Sequence, residues 1–389
     1  MRIDKENLHL KFYTENKISP VRQDTGLSTL LGYRSELYRK LGLTNLCIRD
    51  ANVLEVAPGA GQNSVYIASQ APRTYFLVEP NDTAVQQIEA VYSELNIPHT
   101  KPTVVNQRLE DFNYSGTPYD IVICENWLGS RSYERNLFSN LIRRTDLKGT
   151  MITTVISPIG ILPNAIRRLI SWRMTKGCDP SEAAGMLIDS FKTHLQTMSY
   201  MTRPHIDWVQ DNMMNPGYLT ICITLPDLVH IHDQDIQVRE SYPRFAQDWR
   251  WFKSVNDDKQ KNTHHLIGEY YKWCHGFIDH ELEVSEGQPS TNKLFDNLCQ
   301  NFFNSLQYIE SESIDSDTRI ATALEILEKI NVLSAEIYSP EIVDQLSEGI
   351  RLANDSDITP EKVASCKSFC RLFGRETIYV SLSRVGPDA

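Results

Sequence analysis

An acidic residue and two nearby glycines are the residues of this chain whose types and spacing best suit ligand binding. Residues 53–56 (VLEV) have the composition of a buried strand, and residues 58–61 (PGAG) follow as a tight turn. Glycines let the backbone approach a ligand without an intervening Cβ, and Glu55 near the strand end can accept hydrogen bonds. Ser64 replaces the third glycine of the G-x-G-x-x-G fingerprint, so we expect a nucleoside-like ligand rather than a diphosphate.

Polar residues also follow the next predicted strands. After a helix-compatible run at residues 63–70, the β-rich segment 74–78 ends at Glu79, which is placed to hold a ribose diol. A third strand is predicted within residues 104–112, with an acidic turn at Glu110 and Asp111. A fourth strand at 119–124 ends at Glu125 and Asn126. Polar ends on successive strands predict one crevice at the carboxyl edge of a sheet.

These motifs resemble those of the class I S-adenosylmethionine-dependent methyltransferases over residues 50–157. The resemblance implies an α/β, Rossmann-like sheet and S-adenosyl-L-methionine as cofactor. It also implies that Glu55, Ala57, Gly59 and Gly61 surround the methionine moiety and that Glu79 binds the ribose hydroxyls. Glu125 and Asn126 then open toward methionine and the acceptor. Arg108 stands where many members carry Asp, so the adenine contact falls to the Leu109 backbone or Glu110. The implied cofactor-binding residues are Glu55, Ala57, Pro58, Gly59, Gly61, Glu79, Pro80, Leu109, Glu110, Glu125 and Asn126.

Composition limits the classes of partner. The net charge of −11 disfavours broad capture of nucleic acid, because phosphate neutralisation needs a positive surface. The first residues lack the apolar run of a signal peptide, and no stretch of about 18 apolar residues predicts a membrane span. We therefore expect a cytoplasmic protein. The 8 cysteines are expected to be reduced, and no metal site is predicted, because the pair Cys366 and Cys370 lacks further ligands at suitable spacing.

Helical segments are predicted to surround this core. Residues 1–49 form a helical N-terminal extension, and a helical insertion follows a fifth strand at 149–156, with a break at 176–180. An insertion at this point lies over the carboxyl ends of the strands, so we predict a lid that excludes water. The predicted division is an extension at 1–49, a cofactor-binding core at 50–157, a lid at 158–216, the end of the sheet with an aromatic segment at 217–260, a helical subdomain at 261–375, and a terminal strand at 376–389.

The sheet is predicted to resume at 218–225 and 235–240. The segment 376–382 alternates at period two, which predicts a terminal strand. The resemblance implies that this last strand runs antiparallel within the sheet. The aromatic and charged segment 241–253 suits recognition of a polar ligand, or else an aromatic hinge that packs the tail onto the core.

Methyl transfer to a hydroxyl requires alignment and then proton removal, whereas an anionic oxygen needs no base. The candidate bases are His194, Asp248, His264 and His265, each of which has a structural role as its alternative. The candidate residues for an anionic acceptor are Arg22, Arg244, Arg250 and Lys253.

The sequence predicts O-methylation of a small polar metabolite such as a sugar, sugar phosphate or nucleotide sugar. The alternatives are a protein or RNA methyltransferase, and a cofactor-binding interaction protein without turnover. A homodimer is compatible with the sequence, which does not specify the oligomeric state.

Overall fold

The computed structural model describes residues 8–16, 26–112, 116–128, 132–199, 201–216, 218, 223–232, 235–245, 251, 253, 259–310 and 316–385. The described residues form two compact units. The sheet unit draws on Met1–Val155, Ile221–Glu269 and Thr377–Ala389, and the helical unit on Ile156–Thr220 and Tyr270–Glu376. The lid and the helical subdomain, which the sequence analysis separates, thus contribute to one unit.

In the described part of the chain, seven strands form one sheet in the order β3-β2-β1-β4-β5-β7-β6. The strands are β1 (Asn52–Val56), β2 (Thr74–Val78), β3 (Thr103–Val105), β4 (Tyr119–Cys124), β5 (Thr145–Ile156), β6 (Ile236–Tyr242) and β7 (Thr377–Arg384). The pairs that join β1 to β5 are parallel, and β7 pairs antiparallel with β6. The predicted Rossmann-like class I methyltransferase sheet is confirmed.

The helices follow in chain order: α1 (Leu8–Asn16), α2 (Leu27–Lys40), α3 (Asn45–Ile48), α4 (Val65–Ser69), α5 (Asp82–Ser93), α6 (Ser132–Arg144), α7 (Pro158–Met174), α8 (Pro180–Gln196), α9 (His205–Trp208), α10 (Leu225–Ile231), α11 (Lys259–Trp273), α12 (Pro289–Glu310), α13 (Ser316–Ile337), α14 (Pro340–Asn354) and α15 (Pro360–Ala364). A π-helix spans Val209–Met214, and short 3₁₀ helices span Cys274–Ile278 and Phe369–Arg371.

The inner strands form where the sequence is apolar on both faces. All residues of β1 except Asn52 are buried, as are five of the six residues of β4. Parallel strands covered by helices on both sides require such runs. The core on one side of the sheet joins Tyr38 and Leu41 of the N-terminal extension to Val65 and Ile67 of α4 and Ile88 of α5. The helix α2 is therefore part of the sheet unit's core.

Two strand predictions were wrong in extent or type. The strand predicted within residues 104–112 is limited to β3, which begins at Thr103 and ends at Val105, whereas the predicted acidic turn at Glu110 and Asp111 is present. Residues 218 and 225 were predicted to begin and end a strand, but Leu225 begins α10. Thr224 and Asp227 form a capping box there, and Pro226 occupies the first helical turn, so local helix-start chemistry outweighs the β-branched composition.

The helical unit is joined by contacts between its two chain segments. Arg167 of α7 donates hydrogen bonds to the carbonyls of Leu372 at 2.9 Å and Phe369 at 3.1 Å. A Cβ added at Gly160 of α7 would overlap the carbonyl of Arg375. Backbone and guanidinium contacts therefore fix α7 against the segment that precedes β7.

Within the described residues, no helix combines the length and apolar character that a membrane crossing requires.

Candidate functional site

The turn after β1 has the backbone conformation that the glycine motif predicts. Ala57, Gly59 and Gly61 have φ values of 55°, 57° and 76°. This left-handed region costs L residues about 1–2 kcal/mol each, which explains glycine at two of the three positions. A Cβ added at Gly61 would lie 2.8 Å from Ile88 Cγ1 of α5. The turn thus lies directly against α5, and the intervening Pro58 is buried.

Glu55 is buried within the sheet unit and stabilises the residues around this turn through hydrogen bonds. It is 5% exposed, and its carboxylate accepts hydrogen bonds from the Tyr75 hydroxyl and from Ser64 Oγ at 2.8 Å. Ser64 precedes α4, so Glu55 links β1 and β2 to the helix that follows the turn. Burial raises the pKa of Glu55 to about 7, while the Tyr75 hydrogen bond opposes that rise.

Glu79, directly after β2, holds the same turn from its other side. Its Oε2 accepts the Gly59 N–H at 3.2 Å and its Oε1 accepts the Asn81 N–H at 2.9 Å. Burial raises the pKa of Glu79 to about 7, and these backbone hydrogen bonds oppose the rise. Each carboxylate oxygen has two lone pairs. The side chain therefore keeps acceptor capacity while it fixes the turn.

Glu125, directly after β4, forms a buried cluster with α2. Arg34 Nη2 lies 2.8 and 2.7 Å from the two Glu125 oxygens and 2.7 Å from the Tyr38 hydroxyl oxygen. The Tyr38 hydroxyl donates to Glu125 Oε1 at 3.0 Å. The Arg34 and Glu125 side chains are 7% and 12% exposed. Burial lowers the pKa of Arg34, but Glu125 more than offsets this effect and holds that pKa well above its ordinary value.

Asn126 connects the ends of three strands. It is exposed, with a left-handed φ of 54°, and its N–H donates to Thr154 Oγ1 at 2.7 Å. Its side-chain oxygen accepts from the Thr377 hydroxyl at 3.4 Å. Burial raises the pKa of Tyr379 on β7, and its hydrogen bonds with Arg34 and Asn126 oppose the rise. The side chains after β4 are thus held by α2, β5 and β7.

Leu109 and Glu110, predicted to border an adenine, lie just after β3, and Pro80 lies just after β2. Leu109 is buried in the turn after β3, and its carbonyl accepts the Phe112 N–H at 3.2 Å. Glu110 is exposed, and Pro80 is half-buried beside Glu79.

His194 of α8 lies in the interior of the helical unit. Arg167 Nε donates to His194 Nδ1 at 3.2 Å, which leaves the proton on Nε2, 3.1 Å from the Val363 carbonyl. Burial, together with the nearby Arg167 cation, lowers the pKa of His194 to about 3. Because both ring nitrogens are engaged, the ring has no lone pair for a substrate proton.

The other predicted bases and cations that the structure describes lie after β6 and on α11. His264 is exposed and His265 half-buried on α11. Arg244 is 3.5 Å from Glu240, and Lys253 lies 5.2 Å from the Trp251 ring. Arg22, Asp248 and Arg250 lie outside the described residues, which contain no group of three or more His, Cys, Asp or Glu side chains placed for a metal ion.

Sequence reasoning missed Arg34, Tyr38, Ser64 and Tyr75. A signal for the first two was present: Leu30, Arg34 and Tyr38 recur at four-residue spacing, so they share one face of α2, and all three are buried. An arginine on a core-facing stripe needs a partner, and Glu125 is that partner.

The arrangement fits a nucleoside cofactor with an amino acid end. The left-handed turn brings peptide groups rather than side chains to the edge, and Glu79 offers acceptors for a diol. The polar cluster around Glu125 occupies the end of β4, the neighbour of β1 on the side opposite β2.

Neither a protein-family model nor a curated protein matches the sequence. Several solved structures are similar to parts of it. PKMT2 from Rickettsia typhi is 14% identical over 60% of this chain and 49% of its own, with a TM-score of 0.39. The magnesium protoporphyrin IX methyltransferase from Synechocystis PCC 6803, with bound SAM, is 16% identical over 39% of this chain and 71% of its own, with a TM-score of 0.28.

The CcbJ methyltransferase from Streptomyces caelestis is 14% identical over 32% of this chain and 51% of its own, with a TM-score of 0.27. The matched region thus spans about half the length of two of these three proteins. The strand order of the chain itself carries the assignment: its sheet has the class I methyltransferase fold.

Proposed function

We propose that this chain is an S-adenosylmethionine-dependent methyltransferase that acts on an oxygen atom of a small polar metabolite. The observation that carries the proposal is Glu79, a buried carboxylate after β2 that fixes the glycine turn and keeps acceptor capacity on both oxygens. A vicinal diol is a matching donor pair.

Each residue around the glycine turn has a separate role in binding the cofactor. Gly59 and Gly61 lack Cβ atoms and so let the peptide backbone approach the cofactor. Glu79 accepts hydrogen bonds from the ribose hydroxyls, and Glu55 stabilises the turn through Ser64. Leu109 and Pro80 provide apolar surface beside the base. Bound S-adenosylmethionine supplies a methyl group on a sulfonium sulfur, already activated for displacement. The chain has to align the acceptor oxygen with that methyl group and keep water away.

The charge of the chain supports this acceptor class. A net charge of −11 disfavours the extended basic groove that an RNA substrate needs, and the exposed Arg244 and Lys253 suit a small anion. His194 is held in the interior of the helical unit, and both of its ring nitrogens are engaged there. For a hydroxyl acceptor, the remaining candidate bases are therefore His264, His265 and Asp248.

Calorimetric titration with S-adenosylmethionine tests the cofactor assignment. We expect Glu79→Gln to weaken binding by about 10- to 100-fold at pH 8, since hydrogen bonds to a charged acceptor contribute about 1.5–3 kcal/mol each. Glu89→Gln, an equal charge change at an exposed position of α5, should leave affinity unchanged. Equal affinity of wild type and Glu79→Gln would remove the ribose assignment.

The same carboxylate predicts a pH dependence. Because the pKa of Glu79 is about 7, protonation below that value removes acceptor capacity, so cofactor affinity should fall as pH decreases from 8 to 6. Glu79→Gln should show a flatter profile.

Transfer of labelled methyl groups to fractionated cell extracts tests the acceptor class. Label in the small-metabolite fraction supports the proposal, whereas label in protein or RNA favours a macromolecular methyltransferase. Cofactor binding with no transfer to any fraction favours an interaction protein without turnover.

A further inference from the structure

Cys366 and Cys370 of the helical unit are two thiols that the proposed methyl transfer does not use. Both are free cysteines and half-buried. Cys366 lies just after α15, and Cys370 lies in the 3₁₀ helix Phe369–Arg371. Cys370 acts on the pKa of Cys366 both through its charge and through a hydrogen bond between the two thiols, so the side chains are direct neighbours. Two neighbouring thiols that solvent can reach are able to form a disulfide.

One carboxylate fixes the backbone between the two cysteines. Glu348 of α14 accepts hydrogen bonds from the N–H groups of three consecutive residues, which are Lys367 at 3.1 Å, Ser368 at 2.7 Å and Phe369 at 2.8 Å. The short segment that joins the thiols is thus held in one conformation. A reaction between the two thiols therefore needs little further ordering of the chain.

His194 contacts the first of these thiols. Because Arg167 Nε donates to His194 Nδ1, the ring proton is on Nε2. That nitrogen lies 3.2 Å from Cys366 Sγ, so its N–H is shared between this sulfur and the Val363 carbonyl. A hydrogen bond donated to sulfur favours the thiolate, so His194 assists Cys366 when that thiol loses its proton.

The two thiols are not equivalent. Burial, together with the charges of Cys370 and Glu348, raises the pKa of Cys366 to about 12, while the Arg167 cation opposes the rise. Cys366 is therefore protonated near neutral pH. Because the thiolate is the nucleophile, we expect Cys370 to react first with an oxidant. Cys366 then reacts as the second thiol, which its position beside Cys370 keeps at a high effective concentration.

We propose that Cys366 and Cys370 form a reversible disulfide by exchange with a low-molecular-weight disulfide such as oxidised glutathione. The Cys370 thiolate attacks one sulfur of oxidised glutathione, the S–S bond breaks, and one glutathione leaves and takes up a proton. The Cys366 thiol then loses its proton to solvent, its sulfur attacks Cys370 Sγ of the mixed disulfide, and the second glutathione leaves. Two protein thiols are oxidised to one disulfide, and one oxidised glutathione is reduced to two glutathione molecules.

Trypsin allows the disulfide to be detected directly, because Lys367 lies between the two cysteines. Cleavage after Lys362, Lys367 and Arg371 yields the peptides 363–367 and 368–371, which stay together only when a disulfide joins them. The folded full-length protein is incubated with oxidised glutathione at mildly alkaline pH, and the remaining thiols are blocked with iodoacetamide. Mass spectrometry of the digest, with and without dithiothreitol, measures the linked and the separate peptides.

We expect the linked pair of peptides in wild type and two separate peptides after dithiothreitol. Cys366→Ser should stop at a glutathione adduct of peptide 368–371, because the second thiol is missing. Cys370→Ser should form its adduct about tenfold more slowly or less, because Cys366 stays protonated. Cys47→Ser is the matched control: it removes an exposed cysteine of the sheet unit and should leave the link unchanged.

Glutathione adducts on wild type without the linked pair would overturn the inference, because the two thiols would then not reach one another. The inference also fails if neither cysteine is modified, or if either one links to another cysteine of the chain. Equal rates of adduct formation in Cys366→Ser and Cys370→Ser would overturn the order of attack.

Discussion

Both units bury charged side chains, and the carboxylates beside the glycine turn differ in use from the guanidinium groups of the helical unit. The sheet unit encloses Glu55 and Glu79, each about 5–6% exposed, while the helical unit encloses Arg167 and Arg168 at 0% and 2%. Burial raises the pKa of each of these two carboxyls to about 7 and lowers the pKa of Arg167 to about 9. In both units, burial of these side chains therefore costs free energy. We expect each group to have a structural or binding role that offsets this cost.

The hydrogen-bond partners show that purpose. Arg167 donates to His194, Asn164 and two backbone carbonyls and packs between Phe369 and Phe373. Arg168 donates to the carbonyls of Asn212 and Asn215. These guanidinium groups connect chain segments, and these hydrogen bonds engage their donors within the protein. Glu79 fixes its turn with one backbone donor per oxygen and so keeps capacity for a ligand.

The largest expected effect comes from Arg167→Met. The carbonyls of Leu372 and Phe369 would lose a donor at about 1–3 kcal/mol each, so we expect a loss of about 3–5 kcal/mol in the stability of the helical unit. Denaturant unfolding followed by Trp fluorescence measures it. Arg351→Met, at a side chain that is 70% exposed, should cost less than about 0.5 kcal/mol. Equal stabilities of the two variants would contradict the structural role of Arg167.

Glu55→Gln should act in the opposite direction. The folded pKa of Glu55 lies near 7, above its ordinary 4.5, so its contribution to stability is greatest below pH 4.5 and is lost as pH rises through 7. Removing the charge should stabilise the sheet unit at pH 8 by about 2 kcal/mol and flatten its pH profile between 4.5 and 8. Thermal unfolding across this range checks the prediction, with the exposed Glu89→Gln as control. Destabilisation at pH 8 would mean that the charged form of Glu55 is needed to hold the turn.

Gly61→Ala is expected to destabilise the sheet unit. A left-handed alanine costs about 1–2 kcal/mol, and the new Cβ would press on Ile88. Gly32→Ala, in the middle of α2 with open space around it, should instead stabilise by about 0.5–1 kcal/mol. Unfolding of both variants and titration with S-adenosylmethionine check these signs. A Gly61→Ala protein with unchanged stability and affinity would show that the turn tolerates a side chain.

The sequence predicted those parts whose signals are local. β2 and β4 have the predicted bounds, because each is an apolar run ended by an acid. The predicted break at 176–180 lies where α7 and α8 are joined, and Asp179 caps α8. The partners of those acids could not be predicted, since Arg34 is far from Glu125 in the chain and only the fold brings them together. His194 resembles a candidate base in sequence, but its burial depends on contacts with residues near 363.

The position of β7 between β5 and β6 has a consequence for synthesis on the ribosome. Residues 157–376 are made after β5 and before β7, so the sheet keeps an unpaired β5 edge throughout that interval. An open strand edge is a template for pairing with other chains. We expect nascent chains that end before Thr377 to depend on chaperones and to aggregate when released, although they already contain every residue of the proposed cofactor site.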